Sequence, residues 1–175
     1  LIEDTKDLKS SVRMVIEQVG KYLSFDRILV ILISPEKRLA TITYQWALNT
    51  QNIIGQNQNT ITSDDIEQMI KTYSSCKVVD VNKLMKQYED SSYTGKHTNI
   101  SSFVLGSTLS CPLIAEGSIF GIILYNKEEI NYNWSDNERY FIEEATRIIN
   151  NGLNKLHADR ASQAKSSFLS NMSHE

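Results

Sequence analysis

The residue pair best suited to covalent chemistry is His174-Glu175, at the end of the sequence. One imidazole nitrogen acts as a nucleophile when a neighbouring carboxylate holds or removes the proton on the other nitrogen. Apolar residues at steps of three and four precede the pair, and this spacing predicts a helix with one apolar seam: Ala161, Ala164, Phe168 and Met172. A His-Glu pair on a helix is by itself most often solvated surface, so the pair alone predicts no activity.

The longer stretch 164–175 resembles the phosphoacceptor box that opens the dimerisation helix of sensor histidine kinases. The matching residues are Lys165, Phe168, Leu169, Asn171, Ser173, His174 and Glu175. The resemblance implies that His174 takes the γ-phosphoryl group of ATP and passes it to an aspartate of a response-regulator receiver domain. Glu175 would orient the imidazole or accept its proton. The Arg-Thr-Pro half of the pattern does not follow, because the sequence stops at Glu175.

Composition limits the other classes of function. The 175 residues are 41% hydrophobic and 22% charged, which suits one core-forming domain with an extension. The net charge of −3 argues against nucleic acid as a partner. Cys76 and Cys111 have no paired spacing, so neither a disulfide framework nor a metal site is predicted. The chain has no glycine-rich nucleotide loop, so this part should not itself be an enzyme, and ATP would bind only in a kinase domain that follows.

The location that these features favour is cytoplasmic. The longest aliphatic run, 28–33, is far too short to cross a bilayer. Both ends look like parts of a longer chain, and that chain could have membrane segments before Leu1.

Hydrophobic periodicity predicts helices and strands that alternate along the first half of the chain. The predicted helices are 5–23 and 66–73, and the predicted strands are 25–34, 41–46 and 77–81. Residues 82–106 are mostly polar, and only one helical turn is expected there, near Leu84. A long polar segment of this kind is more often functional than idle.

The second half is predicted to be a hairpin followed by one long helix. Pro112 cannot donate to a ladder, so its strand should lie at an edge or be bulged, and Gly121 suggests a close backbone approach. Ser135 and Glu138 form a capping-box pattern that starts the helix. A helix from Ser135 to Glu175 would be about 60 Å long. It needs a partner helix, so a homodimer is expected, and its seam changes phase near residues 159–160.

The order of these elements resembles a GAF domain over about residues 3–156. The matching stretches are 107–114, Gly117, 119–124 and 134–138. The resemblance implies an α+β fold with a central antiparallel sheet, flanking helices and a long C-terminal helix. We therefore expect a sensory domain over residues 1–156, and a linker helix with a truncated phosphoacceptor box over residues 157–175.

GAF domains bind cyclic nucleotides, linear tetrapyrroles, haem or small metabolites, and some bind no known ligand. The Cys-His pair of many bilin-binding members does not occur here, and no haem signature is present, so the cofactor stays undefined. The cyclic-nucleotide pattern is partly matched by Asn126-Lys127, Trp134 and Glu138, but Arg139 stands where its last acidic residue would be. We expect Lys127 to pair with Glu138 and to join a strand end to a helix start.

A ligand pocket between the sheet and the polar segment would be lined by Trp46, Tyr93, His97 and Phe103. Alternation along the strand also explains Trp46, like Tyr44, as an aromatic core residue. His97, an isolated loop histidine, is also explained as a solvated residue.

Two functions follow from these resemblances. The first is the sensory GAF domain of a two-component sensor histidine kinase, including the hybrid kind, which relays the state of a ligand or partner to His174. The alternative is a GAF regulatory domain that binds a cyclic nucleotide or another small molecule, or dimerises, without phosphotransfer.

Overall fold

The fold is an antiparallel sheet with two helices packed along one face. The computed structural model describes residues 2–34, 36, 39–56, 60–61, 71, 73, 78–90 and 102–173. Three α-helices have both ends within the described residues: α1 (Ile2–Tyr22), α2 (Val81–Asp90) and α3 (Asp136–Ser173). The strands are β1 (Arg27–Ser34), β2 (Leu39–Ala47), β3 (Thr60–Ile61), β4 (Val79–Asp80), β5 (Ser107–Ala115) and β6 (Ser118–Lys127). They form one sheet in the order β3-β2-β1-β6-β5-β4.

Strand β1 lies in the middle of the sheet and is covered on both faces. Its residues Ile28 and Val30 pack with Val12 and Ile16 of α1 and with Ile142, Ile149 and Leu153 of α3. Its alternate residues Leu29 and Ile31 pack on the opposite face with Tyr73, Val81 and Phe103. Side chains of a strand point alternately to the two faces, so this one apolar run contributes to both halves of the core.

The predictions for the second hairpin are confirmed. Strand β4 pairs only with Leu109 and Ser110, so Pro112 lies where the outer edge of β5 has no strand partner among the described residues. The β5–β6 register shifts between Leu113 and Ile114, which marks a bulge. A Cβ atom on Gly121 would lie 2.5 Å from the carbonyl oxygen of Ile31, so the close backbone approach is real.

One element is longer than the sequence suggested. Residues 81–90 form the ten-residue helix α2, where only one helical turn was expected. The side chain of Asp80 accepts a hydrogen bond from the backbone N–H of Lys83, as an N-cap residue does. Val81, Leu84 and Met85 recur at helical spacing and pack toward Phe103, which explains why a mostly polar segment is helical. Of the helix predicted over residues 66–73, only residues 71 and 73 are described, and both are helical.

Helix α3 spans 38 residues without interruption. This length corresponds to about 57 Å. Its sheet-facing side chains are buried as far as Leu156, whereas every side chain from 162 to 173 is exposed. The helix passes through residues 159–160, where the seam changes phase, and continues to Ser173. One end of α3 is therefore part of the core, and the other end extends away from the sheet.

Candidate functional site

The junction between β6 and α3 is built around a cation enclosed by aromatic rings. Lys127, the last residue of β6, is only 8% exposed. Its Nζ atom lies 4.0 Å from the ring centroid of Tyr132, and 5.6 Å and 5.8 Å from those of Phe25 and Trp134. The same atom lies 3.3 Å from Oε1 of Glu138, in the first turn of α3. The predicted ion pair between strand end and helix start is confirmed, and cation–π contacts reinforce it.

Glu138 connects the junction to the helix. Its carboxylate accepts hydrogen bonds from Tyr132 Oη at 2.6 Å and from the backbone N–H of Ser135 at 2.8 Å. Its own N–H donates to Ser135 Oγ at 3.1 Å, which completes the capping box predicted from the sequence. Burial raises the pKa of this carboxyl, but the hydrogen bonds from Tyr132, Ser135 and Lys127 outweigh burial and lower the pKa to about 2. Glu138 is therefore charged at neutral pH.

Farther along α3, the side chains of Thr146, Asn150 and Asn154 attach the helix to the sheet. Thr146 Oγ1 donates to the carbonyl of Ile142 at 2.7 Å, so the buried hydroxyl of Tyr125 donates to Thr146 across 2.8 Å. Asn150 accepts from the N–H of Ile114 at 2.7 Å and donates to its carbonyl at 3.0 Å. Asn154 donates to the same carbonyl at 3.1 Å. With the Lys127–Glu138 pair, these contacts fix α3 to the sheet over about 24 Å.

Arg27 joins the sheet to two connecting segments. Its Nε donates to Asn126 Oδ1 at 3.1 Å, and its Nη atoms donate to the carbonyls of Asn52 at 3.2 Å and Phe103 at 2.8 Å. Burial lowers the pKa of this guanidinium. The planar fork suits three acceptors that come from different parts of the chain. Arg27 could not be predicted from the sequence, because its partners are brought together only by the fold.

A family model for the GAF domain matches residues 7–153. The chain belongs to the GAF domain family. The predicted α+β GAF fold is therefore confirmed, with its central antiparallel sheet and long C-terminal helix. None of the curated proteins compared with this chain matches it.

Solved structures of other proteins share this fold. The blue-light-absorbing PixJ GAF domain of Thermosynechococcus elongatus superposes with a TM-score of 0.67 at 14% identity, over 94% of this chain and 95% of that one. GAF3 of Slr1393 from Synechocystis sp. PCC6803 gives 0.63 at 15% identity, over 89% and 99%. Residues 122 to 287 of a methyl-accepting chemotaxis protein give 0.62 at 12% identity, over 90% and 99%. At these identities the similarity establishes the fold alone.

The two predicted pocket residues that the structure describes, Trp46 and Phe103, lie on opposite faces of the sheet. Trp46 packs on the face of the sheet that α1 and α3 cover, where a Cβ atom on Gly20 would meet its ring. Phe103 is buried on the opposite face. The expectation that both residues line one pocket is therefore wrong, because β2 directs Trp46 to the same face as Tyr44. Tyr93 and His97, and the chemically suited pair His174 and Glu175, lie outside the described residues.

Cys111 is a core residue and is not placed as an attachment site for a bilin. It packs on the face of the sheet that α1 and α3 cover, and burial raises the pKa of its thiol to about 12. A buried thiol with such a pKa is a poor nucleophile. Cys76 lies outside the described residues. Among the residues that the structure describes, no cluster of three metal-ligating side chains occurs, and no helix has the length and apolar character needed to cross a bilayer.

Proposed function

We propose that this GAF domain is the sensory module of a two-component sensor histidine kinase, and that α3 relays its state to the phosphoacceptor His174. The continuity of α3 carries this proposal. The helix whose first half packs on the sheet runs unbroken to Ser173, the residue directly before His174. A displacement of the packed half therefore has a direct mechanical route to the histidine.

The attachments of α3 support such a relay. The Lys127–Glu138 pair holds the start of the helix to the end of β6, and Asn150 holds its middle to the edge of β5. When a ligand or partner shifts these strands, the contacts move α3 with them as a rotation or a sliding step. From residue 162 onward the side chains of α3 are exposed, so this part of the helix can follow the movement.

The exposed C-terminal end of α3 supports a homodimer. Phe168, Leu169 and Met172 are 63%, 56% and 60% exposed, which is unusual for three large apolar side chains on one helix. Phe168 lies about 60° around the axis from Leu153 and about 120° from Leu156, at about 100° per residue. The terminal seam is thus rotated by about a quarter turn around the axis from the side chains that face the sheet. A second copy of α3, packed as a parallel coiled coil, would cover it.

The reaction proposed at His174 is the phosphotransfer that the resemblance to sensor histidine kinases implies. An imidazole nitrogen attacks the γ-phosphorus of ATP, the bond to the β–γ bridging oxygen breaks, and ADP leaves. Glu175 orients the ring or takes the proton released from it. The phosphoryl group then passes from nitrogen to an aspartate oxygen of a response-regulator receiver domain, and His174 returns to its free form.

Phosphotransfer is tested on a chain extended through a kinase core and incubated with ATP labelled at the γ-phosphate. We expect an acid-labile label that disappears in His174→Gln and persists in His157→Gln, which alters another histidine of the same helix. The same amount of label in the His174→Gln variant as in the unsubstituted chain, or no label at all, would refute the proposal.

The relay is tested separately by insertions after Ala158. Seven inserted residues turn the helix through nearly two complete turns, whereas two residues rotate the distal part by about 200°. We expect the seven-residue insertion to preserve the phosphorylation rate and the two-residue insertion to change it several-fold. Equal rates would exclude a rotational relay even if His174 is phosphorylated.

A groove between α1 and α3 favours a second candidate, a GAF regulatory domain that dimerises without phosphotransfer. The groove has a volume of about 360 Å³, and Val15, Val19, Tyr22, Phe141 and Ile148 line it. Tyr22 and Ile148 are 76% and 53% exposed. A stable dimer of this chain, together with no label on His174 in the extended chain, would favour the second candidate.

A further inference from the structure

A cleft beside the β6–α3 junction collects positive charge. It has a volume of about 390 Å³ and lies between the start of α2 and the start of α3. The α2 side contributes Asp80, Asn82, Lys83 and Lys86, and the α3 side contributes residues 131–134 and Arg139. Its volume lies within the range of about 300–1,000 Å³ that is typical of small-molecule sites.

The three cations of this cleft have no acidic partner in the part of the chain that the structure describes. The ion pairs found there involve Lys21, Lys127 and Arg147, and none involves Lys83, Lys86 or Arg139. Asp80 is the one carboxylate among the described residues of the lining, and its Oδ1 already accepts the N–H of Lys83 as a helix cap. The cleft therefore has an excess of positive charge in a protein whose net charge is −3.

The other polar groups of the lining divide into donors already used and donors still available. Ser107 Oγ donates to the carbonyl of Glu129 and accepts the N–H of Tyr132, and Asn82 bonds to Gly106 and Thr108. Asn131 and Asn133 have exposed side chains and also line the cleft. A guanidinium, two ammonium groups and these two amides match an anion with several oxygen atoms.

We propose that this cleft binds a small molecule that carries a phosphate group, either free phosphate or a phosphate monoester. The fork of Arg139 binds two phosphate oxygens, and Lys83 and Lys86 add charge from the opposite wall. The apolar part of a monoester lies against Tyr132 and Trp134, which also line the cleft. A concave site of this volume suits a small molecule better than a macromolecular surface.

Binding here would connect α2 to the first turn of α3. Tyr132 and Trp134 both line the cleft and contact Lys127, so an occupied cleft adjoins the junction that holds α3 to the sheet. The binding itself does not depend on the proposed function, whereas any effect on His174 rests on it.

Calorimetric titration of this 175-residue chain at constant ionic strength tests the site. The probes are inorganic phosphate, glucose 6-phosphate and adenosine 5′-monophosphate, with glucose and adenosine as uncharged controls. We expect saturable binding of one phosphate-bearing molecule per chain and none of the uncharged compounds. Tighter binding of a monoester than of phosphate would identify an organic phosphate as the ligand, and equal binding would identify phosphate itself.

The variants decide where the anion binds. We expect Arg139→Gln to weaken binding at least tenfold, Arg139→Lys to restore part of it, and the double variant Lys83→Gln/Lys86→Gln to weaken it as well. Lys155→Gln removes one exposed charge elsewhere on α3 and should leave binding unchanged. Equal affinity of Arg139→Gln and Lys155→Gln, or no saturable binding of any probe, would overturn the proposal. Neither result bears on phosphorylation of His174, because no ATP or kinase core is present.

Discussion

The Nζ atom of Lys127 lies 3.3 Å from Oε1 of Glu138, so the last residue of β6 is ion-paired with the first turn of α3. The same carboxylate oxygen accepts the hydroxyl hydrogen of Tyr132, which stands halfway along the connection between strand and helix. The connection is thus fixed at its start, middle and end by one carboxylate. Under the proposed relay, a change in the position of β6 would therefore pass to α3.

The first prediction concerns pH. The pKa of Glu138 falls from an ordinary 4.5 to about 2 in the folded protein, so its stabilisation is complete above about pH 5 and is lost as the pH falls toward 2. Glu138→Gln should therefore be less stable than the unsubstituted protein at pH 7, with a difference that shrinks below pH 4.5. Urea unfolding at a series of pH values measures it. Glu129→Gln, an exposed glutamate in the same connection, is the control, and a difference that does not vary with pH would contradict the prediction.

The second prediction separates the hydroxyl of Tyr132 from its ring. Tyr132→Phe keeps the cation–π contact with Lys127 but removes the hydrogen bond to charged Glu138, which should cost about 1.5–3 kcal/mol of unfolding free energy. The pKa of Glu138 should also rise toward its ordinary value. Tyr140→Phe removes the hydroxyl of an exposed tyrosine on α3 and should change stability by less than about 0.5 kcal/mol. Equal changes in unfolding free energy for the two substitutions would show that the hydrogen bond from the Tyr132 hydroxyl to Glu138 does not stabilise the fold.

The third prediction compares two glycines. In Gly121→Ala the new methyl group would lie 2.5 Å from the carbonyl oxygen of Ile31, so β1 and β6 must separate locally. We expect a loss of about 1–3 kcal/mol, as for other overpacked core positions. Gly152→Ala, on α3, meets no atom within 4 Å. This substitution should stabilise the protein by up to about 1 kcal/mol, because alanine is the better helix former. Thermal unfolding of both variants measures the contrast, and a neutral Gly121→Ala would be the contrary result.

The sequence was sufficient to predict the structural features that depend on local residue patterns. The capping box of Ser135 and Glu138, the edge position of Pro112 and the close approach at Gly121 depend on residues near one another or on the chemistry of one residue type. Helix α2 was underestimated because polar residues outnumber the apolar positions that pack. Alternation placed Trp46 with Tyr44, but Phe103 lies in a segment without periodicity, so its face was undetermined. Arg27 and Asn150 were missed because their partners lie far away in sequence.

The last prediction concerns the contact between α3 and the edge of β5. In Asn150→Ala the N–H of Ile114 loses its 2.7 Å bond to the asparagine side chain, while Asn154 still donates to the Ile114 carbonyl. Water can reach this edge, so the cost should be only about 1 kcal/mol. The exposed N–H should also exchange with solvent several-fold faster.

Hydrogen exchange followed by NMR at Ile114 measures this directly, with Asn151→Ala, the exposed neighbour on α3, as the matched control. If the Ile114 N–H exchanges at the same rate in both variants, Asn150 does not hold the helix to the strand, and the relay would depend on the Lys127–Glu138 junction and the Tyr125–Thr146 bond. If exchange accelerates only in Asn150→Ala, the same substitution in a chain that carries the kinase core should alter the phosphorylation rate of His174. Its effect there measures how much of the coupling passes through the middle of α3 rather than through its first turn.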